Sequence, residues 1–348
     1  MKKVGIITLF GNFNFGNRLQ NFAMQEFLKT ININPISIYR TNIYDSSIKT
    51  KFKIFLRYIY SFFSTKGKRS LNFWKFTKNN IDFICVKENN DYINIEKEFD
   101  YFVVGSDQIW NPEFFEQPFE QFLLFTQSNK KIPISVSFGV EKIPNNKVNI
   151  IKSCLETFDY ISVREEKATK IIKELVNKDS MVLIDPTMMV DKKIWDYHLT
   201  SINPKKKYIL IYFLGEITIE YSMFIKKISS DYDLEIINIL EEQSEFYKSD
   251  PFDFVTLISK AEIVITDSFH GSVFSIIYHI PLIICDRKDN FLPMNSRIET
   301  LVNKFSIRDR LFDKINYENL FSRDYSQYDL RINDERAKVI KFLEKAMG

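Results

Sequence analysis

The chain reads as α/β, with two Rossmann-like doubly wound domains facing a cleft. Short apolar, β-branched runs alternate with segments of helical spacing, they fall into two series, and a proline- and charge-rich break parts the series. A length of 348 residues exceeds one ordinary core and suits two domains of average size.

The first series has strand-like runs at 4–9, 35–39, 101–104, 132–138, 160–163 and 181–184. After the first run, Gly11-Asn-Phe-Asn-Phe-Gly-Asn-Arg18 forms a turn into a helix whose expected buried face is Leu19, Phe22, Ala23 and Phe27. The Gly-x4-Gly spacing matches a P-loop, but Asn17-Arg18 replaces the Lys-Ser/Thr pair that holds phosphate and magnesium. No third glycine completes a dinucleotide fingerprint either. Asn12, Asn14 and Asn17 carry amides suited to sugar hydroxyls, or they simply cap and turn.

The run at 101–104 ends in Gly105-Ser106-Asp107, with Trp110 nearby, a carboxylate and an aromatic able to hold a sugar. Helix capping is the rival role for Asp107. Arg164 closes the run at 160–163, where its planar fork suits a phosphate or carboxylate, or pairs on the surface with Glu165 or Glu166.

From Asp185-Pro186-Thr187 to Lys205-Lys206-Lys207 the prolines and charges mark the break, with the hinge placed at 191–206. The second series follows at 208–214, 234–240, 262–266 and 281–285, with helical intervals at 218–229 and 252–260. Residues 334–347 have a helical pattern placed to pack back across the boundary. The expected organisation is therefore 1–190, hinge 191–206, 207–330 and a terminal helix within 331–348, with a basic aromatic insertion at 46–80 in the first domain.

Only three histidines and nine glycines occur, and one of each adjoins in Thr266-Asp267-Ser268-Phe269-His270-Gly271, after the run at 262–266. Strand, turn and helix follow, so His270 stands at a helix N-terminus, where free N–H groups and the dipole favour an anion. Gly11, Gly16, Gly105, Gly139, Gly215 and Gly271 all fall at or just past strand ends, which jointly favour a ligand cleft. His198 and His279 look structural, and Asp231-Tyr232-Asp233 precedes a strand, unlike a metal-binding DxD, so no metal site is expected.

A net charge of +3 disfavours general nucleic-acid binding. Cys85, Cys154 and Cys285 lie far apart without zinc spacing, and the N-terminus lacks a signal-peptide pattern, so a reducing, cytoplasmic setting is expected. Between Lys49 and Lys78 lie nine basic residues and no acid, interleaved with aromatics. Two readings stand side by side: a peripheral contact with an anionic membrane, or an insertion packing its aromatics on the first domain.

The motifs Gly11 to Asn17, Val104-Gly-Ser-Asp-Gln-Ile-Trp-Asn111, Ile161-Ser-Val-Arg164, Ile184-Asp-Pro-Thr187, Ile265-Thr-Asp-Ser-Phe-His-Gly271 and Asn295-Ser-Arg-Ile298, in this order, resemble the polysaccharide pyruvyl transferase family over nearly the whole length. The resemblance implies a GT-B-like fold and transfer of a pyruvyl group from phosphoenolpyruvate to two hydroxyls of a sugar, as in capsular or other cell-surface polysaccharides, with no further cofactor. A lipid-linked glycan acceptor at the inner face of a membrane fits the same reading. By similarity Arg164 and the Phe269-His270 segment would hold phosphoenolpyruvate. Chemistry adds roles: His270 as general acid, Arg164 as main anion clamp, Ser268, Phe269 and Gly271 in the phosphate cradle, and Arg297 as a second charge. Gly11, Asn12, Gly16, Asn17, Asp107 and Trp110 make up the acceptor side, with Asp107 as a base. Asn17-Arg18 stands where many relatives carry small residues. The alternatives are a nucleotide-sugar glycosyltransferase and a silent glycan-binding protein.

Overall fold

The computed structural model describes residues 1–10, 14–40, 64–288, 295–322 and 324–348. The first lobe runs β1 (Lys2–Ile7), α1 (Phe15–Thr30), β2 (Ile33–Arg40), α2 (Thr65–Asn80), β3 (Phe83–Val86), α3 (Asp91–Glu98), β4 (Tyr101–Val104), β5 (Lys131–Pro133), α4 (Val148–Glu156), β6 (Ser162–Val163), α5 (Glu166–Val176) and β7 (Met181–Val182). Strands β3-β2-β1-β4-β5 form one parallel sheet. Single bridges from Val136 to Asp107 and Val163 carry it on to the β6-β7 pair. The run expected at 132–138 is cut short because Ser135 turns into the left-handed region (φ 48°), ending the regular ladder at Pro133.

The connection holds α6 (Pro186–Met189) and α7 (Lys192–Tyr197). Within the stretch expected as a hinge, Trp195 is buried against Phe22 of the first lobe (5.6 Å) and Phe274 of the second (5.0 Å), so this connection is packed. The second lobe follows as β8 (Tyr208–Tyr212), α8 (Ile219–Tyr232), β9 (Glu235–Asn238), α9 (Pro251–Ser259), β10 (Ile263–Thr266), α10 (Phe269–Tyr278), β11 (Leu282–Ile284) and α11 (Asn295–Phe305), with parallel order β11-β10-β8-β9. The last helix, α12 (Tyr328–Met347), returns to the first lobe, where Lys2 Nζ and Tyr101 Oη donate to the Met347 carbonyl (2.8 and 2.6 Å).

Strand periodicity explains the layering, since alternate residues point to opposite faces. In β8, Tyr208, Leu210 and Tyr212 join an apolar core shared with Val4 and Ile6 of β1, while Ile209 and Ile211, with Phe213 just past the strand, face a separate cluster. The shared core contains most of α1, whose burial extends beyond the expected face to Arg18, Gln20, Asn21 and Gln25. These polar residues are tolerated because they are partnered: Gln20 Nε2 donates to Thr8 Oγ1 (2.7 Å) and Gln25 Nε2 to Ser37 Oγ (2.9 Å). Phe15 stacks on Phe254 across the lobe boundary at 4.8 Å and 1°.

In the described part of the basic aromatic segment, Phe73 and Phe76 enter the core, and Arg69 NH1 donates to the Tyr247 carbonyl (2.8 Å) of the second lobe. Helix α2 is thus a strap between lobes, the packing alternative of the two; residues 49–63 lie outside the described residues. Among the described residues no helix is long and apolar enough to cross a membrane.

The shared core predicts that Phe254→Ala costs about 3–5 kcal/mol, the usual range for losing a buried Phe. Urea unfolding should show one transition for both lobes, and a loss under about 1 kcal/mol, or two separate transitions, would contradict a common core.

Candidate active site

Parallel sheets leave a crevice outside the carboxyl ends of their strands. Here the ends of both sheets open on one cavity of about 390 Å³. Leu9, Phe10 and Asp107 line it from the first lobe, and Asp267, Cys285 and Arg287 from the second. His270, the second residue of α10, forms part of its wall.

Asp185, just past β7 and fully buried, divides its carboxylate between two tasks. Oδ1 caps α6, accepting from Thr187 N (3.0 Å) and Thr187 Oγ1 (2.7 Å). Oδ2 accepts from Arg164 NH1 (2.8 Å) and Ser106 Oγ (3.1 Å) and faces His270 Nε2 at 3.6 Å. Burial pushes this carboxyl up, but His270 and Arg164 outweigh it and hold Asp185 far below the usual carboxylate range.

Arg164 and His270 therefore meet on one carboxylate, although they come from different lobes. The guanidinium also lies over the Phe269 ring (4.5 Å) and donates through NH2 to Asp107 Oδ1 (3.1 Å). Its expected part as the main anion clamp is corrected: the fork is taken up by two carboxylates and the side chain is only 1% exposed, behind the cavity wall. Asp107 sits in the left-handed region (φ 64°), which Asp tolerates better than most residues. Burial raises its carboxyl, and Arg164, His270 and Arg297 more than offset this, so it stays charged and makes a weak base.

Two arginines line the cavity itself. Arg297 on α11 approaches Asp107 (3.6 Å) and faces Gln108, whose amide oxygen, turned toward it, accepts from both terminal nitrogens. Burial and then the repulsion of Arg164 bring Arg297 down to about 10, still cationic at neutral pH. Arg287 follows β11, with Nε 3.5 Å from Asp267 Oδ2. Asp267 in turn accepts from Leu214 N and Gly215 N (both 2.7 Å), fixing the loop after β8.

The remaining expected residues divide. Ser268 caps α10 and lines the cavity with Phe269 and Asn17. Gly16 permits a close approach, since a Cβ there would stand 2.0 Å from His270 Nδ1. Gly271 packs on β10, its ideal Cβ 2.7 Å from Thr266 Oγ1, and does not line the cavity. Trp110 is a correction: it is 0% exposed, stacks on Phe122 (4.9 Å) and donates to the Gln121 carbonyl, so no sugar meets it. The exposed aromatics in the cavity are Phe10 and Phe114. Gly11 and Asn12 lie outside the described residues. His198 stacks on Phe252 and His279 closes α10 in the left-handed region, both away from the cavity. Asp185, Gln108 and Arg287 were not foreseen as site residues; each follows a strand end, the same signal that pointed to Arg164.

The sequence matches the profile of the family described as polysaccharide pyruvyl transferase over residues 14–290. No curated protein matches it. Among solved structures, the chain is similar to a UDP-GlcNAc 2-epimerase from Neisseria meningitidis bound to UDP-GlcNAc, with 11% identity and a TM-score of 0.50 over 99% of this chain and 100% of that one. It is also similar to S. aureus MnaA solved with UDP, with 12% identity and a TM-score of 0.51 over 99% and 96%. At such identities the likeness concerns the fold alone, which is of the two-lobed GT-B type.

The Gly16 contact predicts that Gly16→Ala keeps the fold, since Ala suits a helix, but drives the His270 ring off Asp185. A misplacement of about 1 Å can cost about 100-fold in turnover. A crystal structure of the variant with the imidazole in its native place would contradict this.

Proposed function

The chain belongs to the polysaccharide pyruvyl transferase family and is therefore an enzyme, and we propose that it transfers the pyruvyl group of phosphoenolpyruvate to two hydroxyls of a glycan sugar, forming a cyclic ketal and releasing phosphate. The observation that carries the reading is a protonatable imidazole at a helix N-terminus, backed by a buried carboxylate, in a cavity lined by Arg287 and Arg297.

Phosphoenolpyruvate carries a phosphate and a carboxylate on a small frame, so its site needs cations converging from more than one side. Arg287, Arg297 and the first N–H groups of α10 provide them. The enol phosphate becomes electrophilic at C2 once its methylene carbon is protonated, and His270 is the acid for this step. One sugar hydroxyl adds to C2; phosphate then leaves with its bridging oxygen; the second hydroxyl adds and closes the ketal. The proton gained at C3 becomes part of a methyl group, and the two hydroxyl protons leave to the departing phosphate and to solvent through the site. Donor substrate and side chains supply all of the chemistry in this scheme.

The acceptor side belongs to the first lobe, where Asn14, Asn17 and Asp107 present hydrogen-bonding groups and Phe114 an apolar face. Asp107, charged and ion-paired, accepts hydrogen bonds from hydroxyls in this reading and does not act as the base foreseen from sequence. A lipid carrier on the glycan is compatible with a cavity open between the lobes.

Phosphate release from phosphoenolpyruvate, measured with a panel of free and lipid-linked oligosaccharides, tests the reading. His270→Gln should lower turnover by about 10²–10⁴-fold, the usual worth of a general acid, while melting near the wild-type temperature. Full activity in that variant, or thermal stabilisation by UDP-sugars and none by phosphoenolpyruvate, would overturn it.

A further inference from the structure

We infer that Asp185 is the positioning residue of this site: its Oδ2 reaches from the first lobe to the His270 imidazole of the second, setting a negative charge against the ring only while the lobes are docked. The inference rests on the proposed general-acid role of His270 for its catalytic meaning, but not for its physical content.

A helix cap does not explain this carboxylate. Oδ1 alone satisfies α6, and Asn, Ser or Thr would cap as well without the cost of burying a charge. What the charge serves is on Oδ2: Ser106, Arg164 and His270. Arg164 already has Asp107 as counter-ion and stays protonated in any case. Only the imidazole can gain or lose its proton, so only there does a negative neighbour alter the chemistry. Among the described residues Nε2 makes no hydrogen bond, and the Asp185 carboxylate faces it at 3.6 Å. With Nε2 turned to Asp185, Nδ1 stands against Gly16 of α1.

Other charges surround the ring. Asp107 after β4 acts on it from the first lobe, Arg164 after β6 shares Asp185 with it, and Arg297 on α11 and Asp267 before α10 line the same cavity from the second. On α1, Gly16 abuts the ring while Arg18 is turned to Phe10, 3.6 Å from its centroid. Asp185 faces the imidazole nitrogen at 3.6 Å from the opposite lobe, with its side chain fully buried.

The test needs no substrate. With three histidines in the chain, ring resonances can be followed by NMR across pH, and His270→Gln identifies the relevant one. Asp185→Asn keeps the shape and the cap but removes the charge. The inference expects His270 in this variant to lose about tenfold in proton affinity, one pH unit, relative to wild type. Thr187→Val, which weakens the cap alone, should lower the melting temperature and leave the titration in place. A folded Asp185→Asn protein whose His270 titrates as in wild type would overturn the inference. Should that variant fail to fold, neutron diffraction of the wild type decides: a deuteron on Nε2 directed at Asp185 supports it, and a bare Nε2 or a ring turned away overturns it. If the wild type also turns over phosphoenolpyruvate, the basic limb of its pH–rate profile should move down by the same unit in Asp185→Asn. An inert wild type would sink the transfer reaction while leaving the titration to decide the pairing.

Discussion

A carboxylate removed from water is costly unless cations meet it, and the Asp185 side chain has no exposure at all. Its compensation comes from both lobes: Arg164 from the first, His270 from the second. That requirement ties the electrostatics of the site to the docking of the lobes. The apolar part of the docking is the core around α1, α9 and α10, which places Phe15 flat on Phe254. Separated lobes would leave Asp185 with Arg164 alone and an apolar face open.

The same arrangement sorts the arginines by task. Arg164, caught between Asp107 and Asp185, organises the wall behind the cavity, whereas Arg287 and Arg297 stand in the cavity surface and suit a small anion. Burial of Arg297 beside another guanidinium lowers its proton affinity, so an anionic ligand relieves the repulsion between the two cations. Glu165, beneath the site, is pushed up by burial even though Arg164 and Ser137 pull it down.

Much of the fold was legible because apolar runs such as 208–213 and 263–266 are buried on both faces and rich in Ile, Val and aromatic residues. The strand Phe83–Val86 escaped notice because it is short, half-exposed and follows the basic segment. In the site, the meeting of Arg164 with His270 follows from strand-end positions, but the part Arg164 plays does not, since the acids that claim it lie 57 and 21 residues away. Asp185 was hidden by Pro186, which reads as punctuation of a linker, and Arg287 by its charged neighbours Asp286 and Lys288, which read as surface. Trp110 and Phe114 show the limit of composition: an aromatic beside a carboxylate in sequence carries no information on which of two nearby rings the core takes.

The central claim is that an imidazole facing a carboxylate of the opposite lobe hands a proton to the methylene carbon of a small acidic donor. Turnover in deuterium oxide tests it most directly, with the ketal methyl of the product read by mass spectrometry. The account predicts one solvent deuteron in each methyl group. A ketal whose methyl carries no solvent deuterium would contradict it.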